Sequence, residues 1–153
     1  MTKILIYGVG NPYKCDDAVG IKVAETLKTK IAKSNITIKS GSIDGLAMLN
    51  EIVEYDIAIF IDSIKTKNGT PGDVYKINFD PLKNRQTLGV SHGIDFATAL
   101  KTGQKLGYTM PKRIAIFAIE IEDNTSFNEE CTDAVKQSIP EVVSRILDEI
   151  APL

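Results

Sequence analysis

The run from Ile4 to Gly20 restricts the possible folds of this chain more than any other segment. An apolar strand at about Lys3–Tyr7 leads into Gly8-Val9-Gly10, then a loop, then two adjacent carboxylates, Asp16 and Asp17, at the mouth of a helix. That helix spans Ala18 to about Thr29, with Val19, Val23 and Leu27 on one face and Ile21 and Ala24 beside them. Asp16 or Asp17 is expected to cap it, because a carboxylate accepts orphan N–H groups and suits the positive end of the helix dipole. A cap needs only one acid. The other is expected to project from the carboxyl edge of the sheet, where open α/β folds place ligands.

The remaining elements follow the same alternation. A second strand is expected at Thr37–Lys39 after a polar turn, then Gly41-Ser42-Ile43-Asp44-Gly45, then a short helix Leu46–Val53 with Leu46, Leu49 and Val53 inward. Ile57–Ile61 is apolar on both faces, as a central strand covered on both sides should be, and it ends at Asp62. Asp73–Phe79 alternates and is separated from the preceding strand only by the polar loop Lys65–Gly72. With no crossover helix between them, it should run antiparallel. Ser91-His92-Gly93 leads into a helix from about Ile94 to Lys105, followed by a strand at Arg113–Ile119. The last helix starts near Thr132-Asp133 and meets Pro140, which either kinks it or opens a second helix. The expected fold is a three-layer α/β/α sandwich around a mostly parallel five-stranded sheet with one antiparallel strand, a single domain over 1–153.

Composition bounds the function. A net charge of -2 gives no reason to expect nucleic acid or an anionic membrane as partner. No apolar run approaches the roughly 20 residues of a membrane span. The first residues pass straight into a strand, so no signal peptide is expected. Cys15 and Cys131 match no zinc or redox spacing, and a reducing cytoplasm is the simplest expectation. Gly8-Val9-Gly10 is not a dinucleotide fingerprint, since the third glycine of G-x-G-x-x-G would fall at Tyr13, and no nucleotide cofactor is expected. Gly10 suits a tight turn, and Asn11 suits hydrogen bonds to loop backbone.

Three residues carry the chemical argument. Asp62 is either a turn residue capping Ile64 or Lys65, or a site carboxylate. Strands one and three are usual neighbours where strand order reverses, which puts Asp62 near Asp17 on one rim. His92, the one histidine, is either an ordinary loop residue before a helix or a functional imidazole left accessible by Ser91 and Gly93. If Asp17, Asp62 and His92 converge, they form a three-ligand site with room for a fourth ligand, which suits a catalytic or transient metal. The mixed donor set leans toward a transition metal. Cys15 invites a thiolate hypothesis, but neighbouring carboxylates raise a thiol pKa while a helix N-terminus lowers it, and Cys131 reads as packing or loop. Glu120, Glu122 and Asp123 read as a solvated loop, or as a grip for a basic partner segment.

These residues together resemble a known family. Gly8-Val9-Gly10-Asn11, four residues, Asp16-Asp17 and Gly20 is similar to the G-x-G-N-x4-D-[ED]-x-x-G opening of hydrogenase maturation endopeptidases. An aliphatic strand ending in Asp62, the turn Pro71-Gly72, His92 before a helix and an acidic loop before a long terminal helix continue the likeness over nearly the whole chain. The resemblance implies an endopeptidase that clips a C-terminal extension from a nickel-iron hydrogenase large-subunit precursor after nickel insertion. It implies nickel supplied by that precursor, contacted by Asp17, Asp62 and His92, with Asp16 and Asn11 in support. The chain departs from the pattern at Pro12 and Tyr13, at Cys15, and in a turn at 41–45 that is one residue longer. The rival from another class is a non-catalytic nickel-binding or docking module for the same precursor. A peptidyl-tRNA hydrolase-like enzyme, suggested by Gly10-Asn11-Pro12, lacks its expected histidine after that motif, and the acidic loop would repel RNA.

Overall fold

A computed structural model describes residues 1–43, 45–79 and 96–153. Strands β1 (Ile4–Val9), β2 (Ile36–Gly41), β3 (Ile57–Ile64), β4 (Val74–Phe79) and β5 (Arg113–Glu120) form one sheet in the order β2-β1-β3-β5-β4. All pairings are parallel except β4 with β5. Helices α1 (Val19–Lys30) and α4 (Asp133–Ile150) pack on one face, and α2 (Gly45–Ile52) and α3 (Phe96–Lys105) on the other. This is the expected three-layer sandwich with one reversed strand.

Side-chain alternation divides the core. Ile4 and Ile6 of β1 join Ile57, Ile59 and Ile61 of β3 beneath Val19, Val23 and Leu27 of α1 and Val135, Val142 and Ile146 of α4. Leu5, Tyr7 and Val9 join Ala58 and Phe60 beneath Met48, Leu49 and Ile52 of α2 and Leu100 of α3. β1 and β3 are buried along almost their full length, as parallel strands covered on both faces must be.

Several details differ from the sequence expectation. Among the described side chains of α2, Met48, Leu49 and Ile52 are buried; Val53 lies beyond the helix end at Ile52, and the side chain of Leu46, also expected inward, lies outside the described residues. β4 is antiparallel as expected, and it lies beside β5 at the sheet edge. Burial explains the placement. β5 is buried at every position after Arg113 and needs neighbours on both sides, whereas the alternating β4 suits an edge. Pro140 lies inside one continuous helix, α4, so no second helix opens there. Thr70-Pro71-Gly72-Asp73 closes by an Asp73 N–H to Thr70 carbonyl bond of 3.0 Å, with Gly72 at φ +95, a geometry that favours glycine.

Helix α1 approaches the sheet at backbone contact. A Cβ on Gly8 would fall 2.2 Å from the Gly20 carbonyl oxygen, and one on Gly20 would fall 2.4 Å from that of Ile61 and 2.6 Å from that of Val9. Gly10 is constrained in the same way, since its Cβ would meet the Asp17 carbonyl oxygen at 2.2 Å. Gly10 is therefore required for lack of bulk, and not for the tight turn that the sequence suggested. Gly20→Ala is expected to cost roughly 1–3 kcal/mol, the usual range for overpacking a tight contact. The loss should appear as a lower urea midpoint at unchanged m-value.

Candidate active site

The order β2-β1-β3 reverses the direction of winding beside β1, so a crevice opens at the carboxyl ends of β1 and β3. One turn of 3-10 helix, Cys15–Ala18, lies over this crevice ahead of α1. Its backbone is anchored on the far loop, with Cys15 N–H donating to the Asn128 carbonyl (2.9 Å) and Asp16 N–H to that of Asp123 (2.9 Å). Cys15 is held at φ 50, a left-handed conformation that costs an ordinary side chain roughly 1 kcal/mol or more.

The two adjacent acids have separate roles, and neither caps α1, whose N-cap position is Ala18 without a side-chain hydrogen bond. Asp16 is fully buried and faces away from its own helix. Its Oδ2 accepts the backbone N–H groups of Glu122 and Asp123, both at 3.0 Å, and its Oδ1 accepts that of Thr132 at 2.7 Å. The Thr132 hydroxyl donates to Asp16 as well, at 2.8 Å to Oδ2. Asp16 thus supplies negative charge at the start of α4 and not of α1, across more than a hundred residues of sequence. Asp17 is also buried but faces the crevice. Its Oδ2 accepts the N–H of Asn11 at 2.9 Å, and the Ser63 hydroxyl lies 3.4 Å from its Oδ1.

Asp62 is inside β3 and not in a turn beyond it. It is 1% exposed, and its Oδ1 accepts the N–H of Ser63 at 2.7 Å. Strand alternation puts Asp62 on the α2/α3 side and Ser63 on the α1 side, so the Ser63 hydroxyl lies toward Asp17 while the Ser63 N–H donates to Asp62. The third expected ligand, His92, lies outside the described residues. Among the described residues no group of three or more histidine, cysteine or acidic side chains is placed to hold a metal. What the described part supplies is two buried oxygen-donor side chains at the strand ends.

Asn11 behaves as expected, its Oδ1 accepting the N–H of Tyr13 at 3.0 Å. Three residues went unnoticed as site builders. Ser63 carries no sequence signal beyond following Asp62. Thr66 and Tyr75 become visible only through Glu120, which is buried at the end of β5 and is not part of a solvated loop. The Glu120 carboxylate accepts the N–H of Thr66 (2.7 Å), its hydroxyl (2.6 Å) and the Tyr75 hydroxyl (3.1 Å). It therefore fastens the loop after β3 to the sheet.

The thiols are poorly suited to nucleophilic attack. Burial first, and then the Asp16 carboxylate, push the Cys15 thiol up. The same two causes push Cys131, packed against α1 and α4, up to about 11. Asp123 moves the other way, held well below the ordinary carboxylate range by donation from Ser126 and Thr125.

Two buried carboxylates at the switch point of a doubly wound sheet have the layout of a catalytic or ligand-binding α/β protein. The family model described as HycI, hydrogenase maturation protease, matches residues 21–149. The chain is 26% identical over 119 residues to the hydrogenase 2 maturation protease of Escherichia coli, a stretch covering 76% of this chain and 72% of that protein. Its fold matches the hydrogenase maturating endopeptidase HybD of Escherichia coli at a TM-score of 0.81, with 23% identity over 99% of this chain and 93% of the other. It also matches the [NiFe] hydrogenase maturation protease HycI of Thermococcus kodakarensis at 0.73, with 24% identity over 96% and 91%. The chain belongs to the hydrogenase maturation protease family. The peptidyl-tRNA hydrolase-like alternative is thereby set aside.

Two outcomes follow from this geometry. A thiol with a raised pKa stays neutral, and hence unreactive, until pH approaches that raised value, so at pH 8 an alkylating agent should modify native Cys15 and Cys131 far more slowly than the denatured chain. Cys15→Ser should remain active. Asp16→Ala should cost roughly 1–3 kcal/mol, the range for stranding partly buried donors. Amide hydrogen exchange should accelerate most at Glu122, Asp123 and Thr132, the groups that lose their acceptor.

Proposed function

We propose that this protein is the endopeptidase that removes a C-terminal extension from a nickel-iron hydrogenase large-subunit precursor once nickel has been inserted. Membership of the maturation protease family supports the reaction class. The single structural observation that supports the assignment to a site is that Asp17 and Asp62 are each buried near the carboxyl ends of β1 and β3 with Ser63 between them, its hydroxyl 3.4 Å from Asp17 and its N–H donating to Asp62.

In this reading nickel arrives as part of the substrate, and Asp17, Asp62 and His92 meet it. Two anionic oxygens and one imidazole nitrogen suit a divalent transition ion, and meeting it fixes the precursor tail over the crevice. A carboxylate of the pair then takes a proton from a water as that water attacks the scissile carbonyl. The C–N bond breaks, the amine of the tail leaves protonated, and the shortened subunit keeps the new carboxylate. The Asn11 N–H orients Asp17, and Asp16 holds the turn from which Asp17 projects. No helix among the described residues is long and apolar enough to cross a membrane, so nothing in them ties the reaction to one.

The test is the intact mass of the cognate precursor after incubation with this protein, with and without nickel loaded. Loss of a C-terminal peptide from the loaded sample alone is the expected result. Cleavage of both samples would retain the endopeptidase and remove the dependence on nickel. An uncut loaded precursor that still binds would favour the docking module. Asp17→Asn should slow cleavage by roughly a hundredfold or more, the scale of losing a positioned acid–base or ligand group, with its thermal unfolding essentially that of wild type.

A further inference from the structure

Two large apolar side chains stand uncovered on the rim of this site. Phe127 is 86% exposed and Tyr13 is 58% exposed, and together with Asn128 and Glu129 they line a shallow pocket of about 290 Å³. The frame beneath them is tightly tied. The Asn128 N–H donates to the Tyr13 carbonyl at 3.0 Å, the Cys15 N–H donates to the Asn128 carbonyl at 2.9 Å, and Lys14 pairs with Asn128 as a parallel bridge. On one side the Asp123 carboxylate accepts the Thr125 and Ser126 N–H groups at 2.9 and 3.0 Å, and on the other Oδ1 of Asn128 accepts the Glu130 N–H at 2.9 Å. Exposed aromatics on a backbone held this firmly lose little entropy on binding, which is the character of interface anchors.

We propose that Tyr13 and Phe127 form the docking shelf for the precursor polypeptide, seating one apolar side chain between the rings while Glu129 pairs with a lysine or arginine beside it. This rests on the endopeptidase reading above. Three observations select the occupant. The shelf is continuous with the site, because the loop that carries Tyr13 also supplies the Asn11 N–H that holds Asp17. Its volume of about 290 Å³ has room for an apolar side chain of a chain lying across it. The loop that carries Phe127 is acidic. Between Ile121 and Asp133 the sequence has Glu122, Asp123, Glu129, Glu130 and Asp133 and no lysine or arginine. Lys136 pairs with Glu130 at 2.7 Å, which leaves Glu129 without an ion pair among the described residues, and Lys14 is the cation on the facing loop. A basic flank on the partner complements that surface.

The experiment measures binding of nickel-loaded precursor to the full chain carrying Asp17→Asn, alone and combined with Tyr13→Ala and Phe127→Ala, and cleavage by the same substitutions in the active protein. The pair should weaken Kd roughly tenfold or more, the scale of losing interface anchors. The loss should fall on KM rather than kcat, and Glu129→Lys should weaken binding further and more so at low salt. Unchanged Kd and KM in the double variant overturns the shelf and leaves the endopeptidase standing. Precursor that binds wild type, releases on Tyr13→Ala and Phe127→Ala, and is never cut keeps the shelf and removes the endopeptidase. A wild-type chain that self-associates through these two aromatics, and monomerises when they are removed without change in precursor Kd, overturns the shelf in favour of a second copy.

Discussion

Helix α1 lies close enough to β1 and β3 that no side chain fits between their backbones at Gly8 and Gly20. The rest of the site depends on this contact. With α1 seated there, the turn Cys15–Ala18 lies over the strand ends, and Asp17 falls beside Ser63. A larger residue at either glycine would lift the helix, and the first carboxylate would leave the crevice into which the second faces. The left-handed backbone at Cys15 belongs to the same constraint, since the chain must turn sharply to enter a helix packed so close.

Buried carboxylates elsewhere in this protein work as fasteners. Asp16 collects the amides of the loop after β5 and the first residue before α4, and Glu120 collects Thr66 and Tyr75. Burying an ionised oxygen is costly unless each lone pair finds a donor, and these two are amply supplied. The loops after β3 and β5 are thus tied to the sheet by these two acids. The same fastening holds Tyr13 and Phe127 outward, at a rim where water would otherwise favour their collapse onto the core.

Much of this was legible in the residues. The doubly covered strands β1 and β3, the helical spacing of Val19, Val23 and Leu27 and the reversed β4 all follow from hydrophobic period and loop length, which act locally. The neighbouring of β1 and β3, whose ends carry the two acids, followed from the order of elements. The two acids that found other partners share one cause. Asp16 was assigned to the nearest helix and Glu120 to solvent, because the donors that claim them lie far away in sequence. The loop length gave β4 its direction, while its place at the edge beside the more apolar β5 was set by the sheet as a whole. Of the two readings of Pro140, a kink or a second helix, the second is ruled out, since packing of Val135, Val142, Val143 and Ile146 on both sides of it carries α4 through.

The sequence by itself determined the layered architecture and the reversed strand, because periodicity and connection length are properties of short segments, and the likeness of its motifs marked Asp17 and Asp62 as candidates. Only the tertiary structure decided which distant donors Asp16 serves, which strand takes the edge, and which aromatics stay outside. Those outcomes depend on which partner a buried polar group or apolar face meets across the sheet, and a buried carboxylate goes where unsatisfied donors converge, however distant they are along the chain.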